Sequence, residues 1–329
     1  MTVRVHPRRA LGRVSPEVFG WQHGEVGDPI FRGLWAELLA NRKFGGHDES
    51  VEHARRHLWQ TGGGAREERA PRPAATVIAI IRAEVFHQYT GDNPAPPDPG
   101  VVNPWYAIGD GPHAYFTHDN TTYFTGGQSQ RMELHQDDGA WHGVAQAGLR
   151  IAADRSYAVR LVARAEGLAG LRVRLVDVAS GDELAAADID RPGAEWSEAT
   201  ATLRSDRSCE NAAFHIEGRG KGMLWCGAAS LMAADAVDGL RRDVVDAVAA
   251  LRPAIIRWGG NTTQYYRWRQ GVGPRDRRAP FMDAWDSLLT HDFGTHEYIR
   301  YCRLVGAEPL ICANAGDAPD EAAEWVEYC

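Results

Sequence analysis

The sequence predicts a mixed α/β and β protein: parallel strand–helix units with an antiparallel β-sandwich or jelly roll set between them. Three observations carry this. From about residue 235, helical and strand patterns alternate as helix, strand, helix, strand, helix, the signature of a parallel sheet, either a barrel or doubly wound. Between about 111 and 233, short segments alternate apolar and polar residues with period two and are separated by turn signals. Ahead of them lies a Gly/Pro-rich stretch that no regular element absorbs.

Four regions follow along the chain. Residues 1–46 hold a short strand pattern and then "FRGLWAELLANRKF", where Phe31, Leu34, Leu38 and Leu39 fall near one helical face. Residues 47–110 read as an irregular connector, with "TGGGAREERAPRP" and "GDNPAPPDPG" flanking one strand candidate, "TVIAII". Residues 111–233 supply "YAVRLVARAE", "LRVRLVDV" and "SEATATLRS", with "SGDE" and "DRPG" as turns, which favours a sandwich or jelly roll. Residues 234–329 form the βα units. In "DAVDGLRRDVVDAVAALRP" the stripe Leu240, Val244, Val248 and Leu251 predicts a helix stopped by Pro253, and "AIIRW" follows as a strand. "THEYIRYCRLVG" repeats the stripe with Tyr298, Ile299, Cys302 and Val305, and Gly306 is its natural C-cap. "PLICANAG" is the next strand, and "DAPDEAAEWVEYC" opens a helix with Asp317 as N-cap and Pro319 in its first turn.

Bulk properties remove several function classes. A net charge of -8 gives no general attraction to nucleic acid or to an anionic membrane. No apolar run reaches the roughly 20 residues of a membrane-spanning helix. The start of the chain lacks a signal-peptide core, so a cytoplasmic protein is expected. The five cysteines, at 209, 226, 302, 312 and 329, show no metal-ligand spacing and read as small buried hydrophobes; neither a metal nor a cofactor is expected.

The most informative stretch is "IIRWGGNTTQYYRWRQGVGP", residues 255–274. It begins as a strand, breaks at Gly259-Gly260, and continues as a loop offering Arg257, Asn261, Gln264, Tyr265, Tyr266 and Trp268. In both parallel architectures ligands bind at the C-terminal end of such a strand. A nucleotide is not indicated, because neither a P-loop nor a G-x-G-x-x-G pattern is present. Aromatic rings stack on sugar faces while Asn, Arg and acids read hydroxyls, so a polyhydroxylated ligand suits this set, with packing against a neighbouring loop as the competing fate of each ring.

Several longer segments, "GLWAELLANRKF", "NPWYAIGD", "LRPAIIRWGGN", "YYRWRQGVGPRDRRAP" and "FGTHEYIRYCRLVGAEPLICANAGDAPDEAAEWVEYC", resemble the N-terminal and early-barrel parts of α-L-arabinofuranosidases of glycoside hydrolase family 51. The likeness is to the branch carrying an inserted carbohydrate-binding-like β domain, and residues 47–99 lie outside it. The resemblance implies an incomplete (β/α)8 TIM barrel with an inserted jelly-roll-like sandwich. It also implies a retaining hydrolase that removes terminal arabinofuranosyl residues from hemicellulose or pectin oligosaccharides, and a homo-oligomer. Retention needs two carboxyl groups about 5 Å apart. In the family both glutamates fall beyond the point matching Cys329, so a truncated, inactive chain is expected. A barrel also needs ~250 residues, whereas the two barrel-like regions supply about 46 and about 95. Its open sheet edge is then an aggregation risk.

Site residues follow from the same resemblance. Arg257 and Asn261 match the family's Arg and Asn around its double glycine, which support the nucleophile and touch the sugar; the Pro that usually precedes the glycines is absent here. Trp285 matches a pocket tryptophan. His291 stands where the family has Asn, and its competing reading is an ordinary loop histidine. Asn314, in "PLICANAGD", completes the set. The family's sugar-binding Glu, four residues after a strand Gly, falls on Gly24, with Glu25 one position later. A one-residue offset turns a side chain to the other face unless a bulge restores it, which bears on arabinofuranose specificity. In the β domain, Trp141, Tyr157 and Trp196 are candidate sugar platforms, with core packing the expected fate of each. A non-catalytic glycan-binding protein, or a relative with drifted glycoside specificity, stands as the alternative.

Overall fold

The computed structural model describes residues 15, 19–23, 29–45, 100–109, 111–259, 263, 266–282, 288–314 and 318–329. Three strands, β1 (Gly20–His23), β12 (Ile255–Trp258) and β15 (Glu308–Ile311), form a parallel sheet in the order β1–β12–β15, and the short antiparallel pair β13 (Phe281–Met282) and β14 (Leu288–Leu289) lies between the last two in sequence. Between β1 and β12 in the sequence lie ten strands of an antiparallel sandwich. These are β2 (Tyr106–Ile108), β3 (Ala114–Asp119), β4 (Ser129–Leu134), β5 (Trp141–Ile151), β6 (Ser156–Glu166), β7 (Gly170–Asp177), β8 (Glu183–Asp188), β9 (Ser197–Arg204), β10 (Cys209–Arg219) and β11 (Gly222–Ala233). They make two five-stranded sheets, β2–β5–β10–β7–β8 and β3–β4–β11–β6–β9. The inward positions of both sheets, such as Val173, Phe214, Ile216, Leu161 and Leu231, fill one core. β2 lies within the stretch read as connector, so the sandwich begins ahead of residue 111.

Among the described residues, helices cover one face of the parallel sheet. α1 (Arg242–Leu251) and α2 (Thr295–Val305) pack there, and α3 (Pro319–Tyr328) adds Trp325 to the same core as Ile256 and Trp258. α2 follows its expected stripe: Tyr298, Cys302 and Val305 are buried, Ile299 is partly buried, and Gly306 caps the helix at φ 73°. α1 is shorter than expected. Val245 and Val248 are buried, Leu240 is buried ahead of the helix, and Leu251 is 62% exposed. The N-cap of α3 is Ala318, with Pro319 at its first position, and Asp317 lies outside the described residues.

The segment 31–39 is not one amphipathic helix. A π-helical turn, Pro29–Leu34, passes into an extended run whose Trp35 and Glu37 bridge to Leu240 and Met232. Leu34 belongs to the core behind the parallel sheet and Leu39 to the sandwich core. Apolar residues are therefore placed by two cores on opposite sides of one crossing strand, and their spacing mimics a helix. "TVIAII" lies outside the described residues. Among the cysteines, Cys209, Cys226 and Cys302 are buried as expected, Cys312 is half-buried and Cys329 exposed, all as free thiols.

Candidate functional site at the edge of the parallel sheet

The register places Arg257 at the centre of the three parallel strands, opposite Gln22 on β1 and Leu310 on β15. Side chains alternate across a strand, so Ile256 and Trp258 point into the helix-covered core while Ile255 and Arg257 point to the open face. Gln22 and Leu310 are exposed there and Arg257 is half-buried. This face carries the guanidinium expected to meet a ligand.

Gly259 ends the strand for a steric reason. A Cβ at this position would lie 2.5 Å from Cys312 Cβ and closer still to its Sγ, and 3.4 Å from an Arg257 terminal nitrogen. The Cys312 N–H donates to Trp258 O at 2.9 Å, so the β15 extension runs tight along β12 at the C-terminal edge. Asn314, half-buried, follows two residues later on that edge. Glu25, Asn261 and Trp285, and Gln264 and Tyr265 of the loop, lie outside the described residues.

The loop aromatics that are described serve the core. Tyr266 is 2% exposed, its ring centroid 4.9 Å from Trp258 and 5.5 Å from Trp325, and its hydroxyl accepts the Thr295 N–H at 3.1 Å. Trp268 donates its indole N–H to Glu321 O at 3.1 Å and packs on Tyr328. Behind the sheet, Trp258, Phe293, Tyr298 and Trp325 form one aromatic layer, and the Tyr298 hydroxyl donates to Ile256 O while accepting the Leu310 N–H at 2.9 Å. The crowding of rings after the strand thus has a structural cause in Tyr266 and Trp268, which brace the loop from beneath.

His291 is fully buried, in a left-handed conformation at φ 54°. Its Nδ1–H donates to Ala279 O at 2.6 Å. Burial, reinforced by the Lys43 charge, pushes its pKa down to about 4, so the ring is neutral at physiological pH. His291, expected either as a sugar contact or as an ordinary loop histidine, is buried and turns a ring nitrogen to the Ala279 backbone.

An ion network missed in the sequence fixes this loop. Arg42 grips Asp292 through Nε at 2.5 Å and a terminal nitrogen at 2.6 Å, and reaches Asp276 at 2.6 Å. Arg160 of β6 takes Asp276 in a second fork, at 2.6 and 2.9 Å. Lys43 donates to Asp292, Arg278 O and Thr290 O. Arg278 pairs with Glu297 at 2.9 and 3.0 Å, and Glu297 accepts the Gly294 N–H at the start of α2. Burial alone would raise these carboxyls, but the guanidinium partners hold Asp276, Asp292 and Glu297 below their ordinary range. All three are ionised struts at neutral pH. The signal for them, "GPRDRRAP" with "NRKF" more than 200 residues earlier, has no local periodicity to expose it.

Of the three β-domain platforms, Tyr157 is core: it is 2% exposed and its hydroxyl accepts the Ala152 N–H at 2.8 Å. The Trp141 ring is occupied by the guanidinium groups of Arg172 and Arg219, at 4.3 and 4.9 Å from its centroid. Trp196 is half-buried and lines an open groove. Among the described residues no group of three metal-ligating side chains forms a site, and no helix is long and apolar enough to cross a membrane.

Comparison with known proteins adds the following. Residues 247–329 match the alpha-L-arabinofuranosidase 1 domain. The chain is similar to alpha-L-arabinofuranosidase C of Emericella nidulans, 44% identical over 95 residues covering 28% of this chain and 19% of the relative. It is also similar to an intracellular exo-alpha-L-arabinofuranosidase of Bacteroides ovatus, 32% identical over 142 residues, 40% of this chain and 27% of that one. The chain thus matches about a fifth to a quarter of these relatives' length. A solved, arabinose-bound GH51 α-L-arabinofuranosidase superposes with a TM-score of 0.68 at 18% identity, over 97% of this chain and 48% of that one. This last likeness establishes the shared fold.

Proposed function

We propose, for a chain similar over part of its length to α-L-arabinofuranosidases, that it supplies the N-terminal part of a retaining α-L-arabinofuranosidase acting on arabinose-containing oligosaccharides. In this reading β1, β12 and β15 are the first three strands of a (β/α)8 barrel, and the sandwich is an insertion after the first. The observation that carries the site is the place of Arg257, on the open face of the central strand, one residue from the aromatic layer that fixes it. Its guanidinium offers planar donors to a carboxylate or to sugar hydroxyls. Glu25, Asn261, Trp285 and Asn314 are proposed to share the sugar contact, and His291 is buried against Ala279 O.

A retaining mechanism asks for one carboxylic acid and one carboxylate about 5 Å apart. Asp276, Asp292 and Glu297 do not suit either role, because each is buried in charge-assisted hydrogen bonds. Following the resemblance to the family, both catalytic carboxylates are proposed to come from outside residues 1–329. The test is hydrolysis of 4-nitrophenyl α-L-arabinofuranoside by residues 1–329 and by the native gene product isolated from its own cells. Release of nitrophenol by the native product alone is expected. Turnover by residues 1–329 overturns the division of the site, and silence of the native product overturns the activity.

A further inference from the structure

A groove of about 580 Å³ runs between the outer face of the sheet β3–β4–β11–β6–β9 and residues 273–278. That volume is within the range of about 300–1,000 Å³ typical of ligand sites. One wall is aromatic: the rings of Phe124 and Trp196 lie 5.7 Å apart, tilted by 58°. They meet over Gly227, at the register shift of β11, where a Cβ would stand 2.5 Å from Phe124 Cβ and 2.8 Å from Trp196 Cζ3. The missing side chain lets both rings settle onto the strand and sets the V between them.

The opposite wall is cationic in a chain of net charge -8. Arg160, Arg275, Arg277 and Arg278 line the groove with only Asp276 and Glu198 as acids. Arg160 is committed to Asp276, and Arg275 and Arg278 to Glu297. Arg277 is exposed, stands 3.7 Å over the Phe124 ring, and touches Phe124 O at 3.3 Å, with no carboxylate partner among the described residues. Glu198, more than half exposed, faces the groove as a hydrogen-bond acceptor. The Trp196 face for ring C–H groups, a carboxylate for hydroxyls and a guanidinium without a carboxylate partner among the described residues for an anion describe one ligand chemistry.

We infer that this groove binds an oligosaccharide bearing uronate carboxylates, with Trp196 stacking on the sugar and Arg277, seated on the Phe124 ring, holding the carboxylate. It deepens the glycan reading above and gives the sandwich a task separate from the parallel-sheet edge. An acidic peptide would satisfy Arg277 but makes little use of the tilted ring pair beside Glu198.

The test is calorimetric titration of residues 1–329 with trigalacturonate, its full methyl ester and a tri-glutamate peptide. The acid is expected to bind, and the ester about tenfold or more weaker. Trp196→Ala should weaken acid and ester alike by about tenfold, the scale of a lost stacking contact. Arg277→Gln, at an exposed position that keeps the fold, should erase the difference between acid and ester. Absence of acid binding, equal binding of the ester, preference for the peptide, or indifference to both variants each overturns the inference. Nitrophenyl arabinofuranoside hydrolysis by the native product is read separately. Loss of groove binding with hydrolysis intact sinks this inference alone, and the converse sinks only the activity.

Discussion

At the scale of single residues, Gly259 and His291 show what the loop after β12 demands. Gly259 leaves room for Cys312, so Gly259→Ala forces the two strands apart at their C-terminal edge. We expect a cost of about 1–3 kcal/mol in urea unfolding, the usual penalty of overpacking. Cys312→Gly in the same chain should recover most of it, whereas Cys312→Ala, which keeps the offending Cβ, should not. A neutral Gly259→Ala would contradict the close approach. His291 makes a different prediction. Its pKa falls from the ordinary 6.5 to about 4 on folding, so between these values the unfolded chain binds a proton that the folded chain refuses. Stability therefore drops as pH is lowered through that window, by on the order of 3 kcal/mol in full. His291→Gln keeps a donor for Ala279 O and should flatten the slope of melting temperature between pH 6.5 and 4. An unchanged slope would show that the histidine is not buried neutral.

At the scale of elements, the described residues of 273–282 and 288–292 are held by buried charge as well as by the short strand pair Phe281–Met282 and Leu288–Leu289. Arg42→Met leaves Asp276 and Asp292 buried with one cationic partner fewer each, and breaking such a network costs about 3–5 kcal/mol. Chemical denaturation checks this, and a loss below about 1 kcal/mol would mean that the carboxylates find water instead. Because Asp276, Asp292 and Glu297 titrate lower in the folded chain, their contribution is complete above the ordinary carboxylate values, 3.8 and 4.5, and fades as pH falls below them. These struts were illegible in the sequence because each links residues 19 to 250 positions apart. α2 was legible because one core sets its period. The run 31–39 misled because two cores set its spacing, Leu34 serving one and Leu39 the other. Tyr266 and Trp268 misled for a related reason: a strand-end loop crowded with rings needs a floor before it can offer a pocket.

At the scale of the molecule, two hydrophobic cores meet along residues 35–45. The carboxylate of Glu37 accepts Ser230 Oγ–H and Leu231 N–H, the Ala40 backbone exchanges hydrogen bonds with Gln146, and Arg42 reaches Ala229 O and the 276–292 loop. The sandwich is thus fastened to Asp276 and Asp292 through Arg42 and Arg160. The alternation of elements and the parallel edge were readable from periodicity. The groove at Trp196 was not, because it needs Gly227, Phe124 and Arg277 brought together from three distant segments. The central claim, that the open face of the parallel sheet cradles the sugar, is tested most directly by Arg257→Ala in the native gene product. With 4-nitrophenyl α-L-arabinofuranoside, kcat/KM should fall by roughly 10²–10³-fold, the scale of a charged donor lost from a water-excluded site. Tyr115→Ser, on the exposed far sheet, should leave it unchanged. An Arg257→Ala enzyme as efficient as its parent would contradict the account.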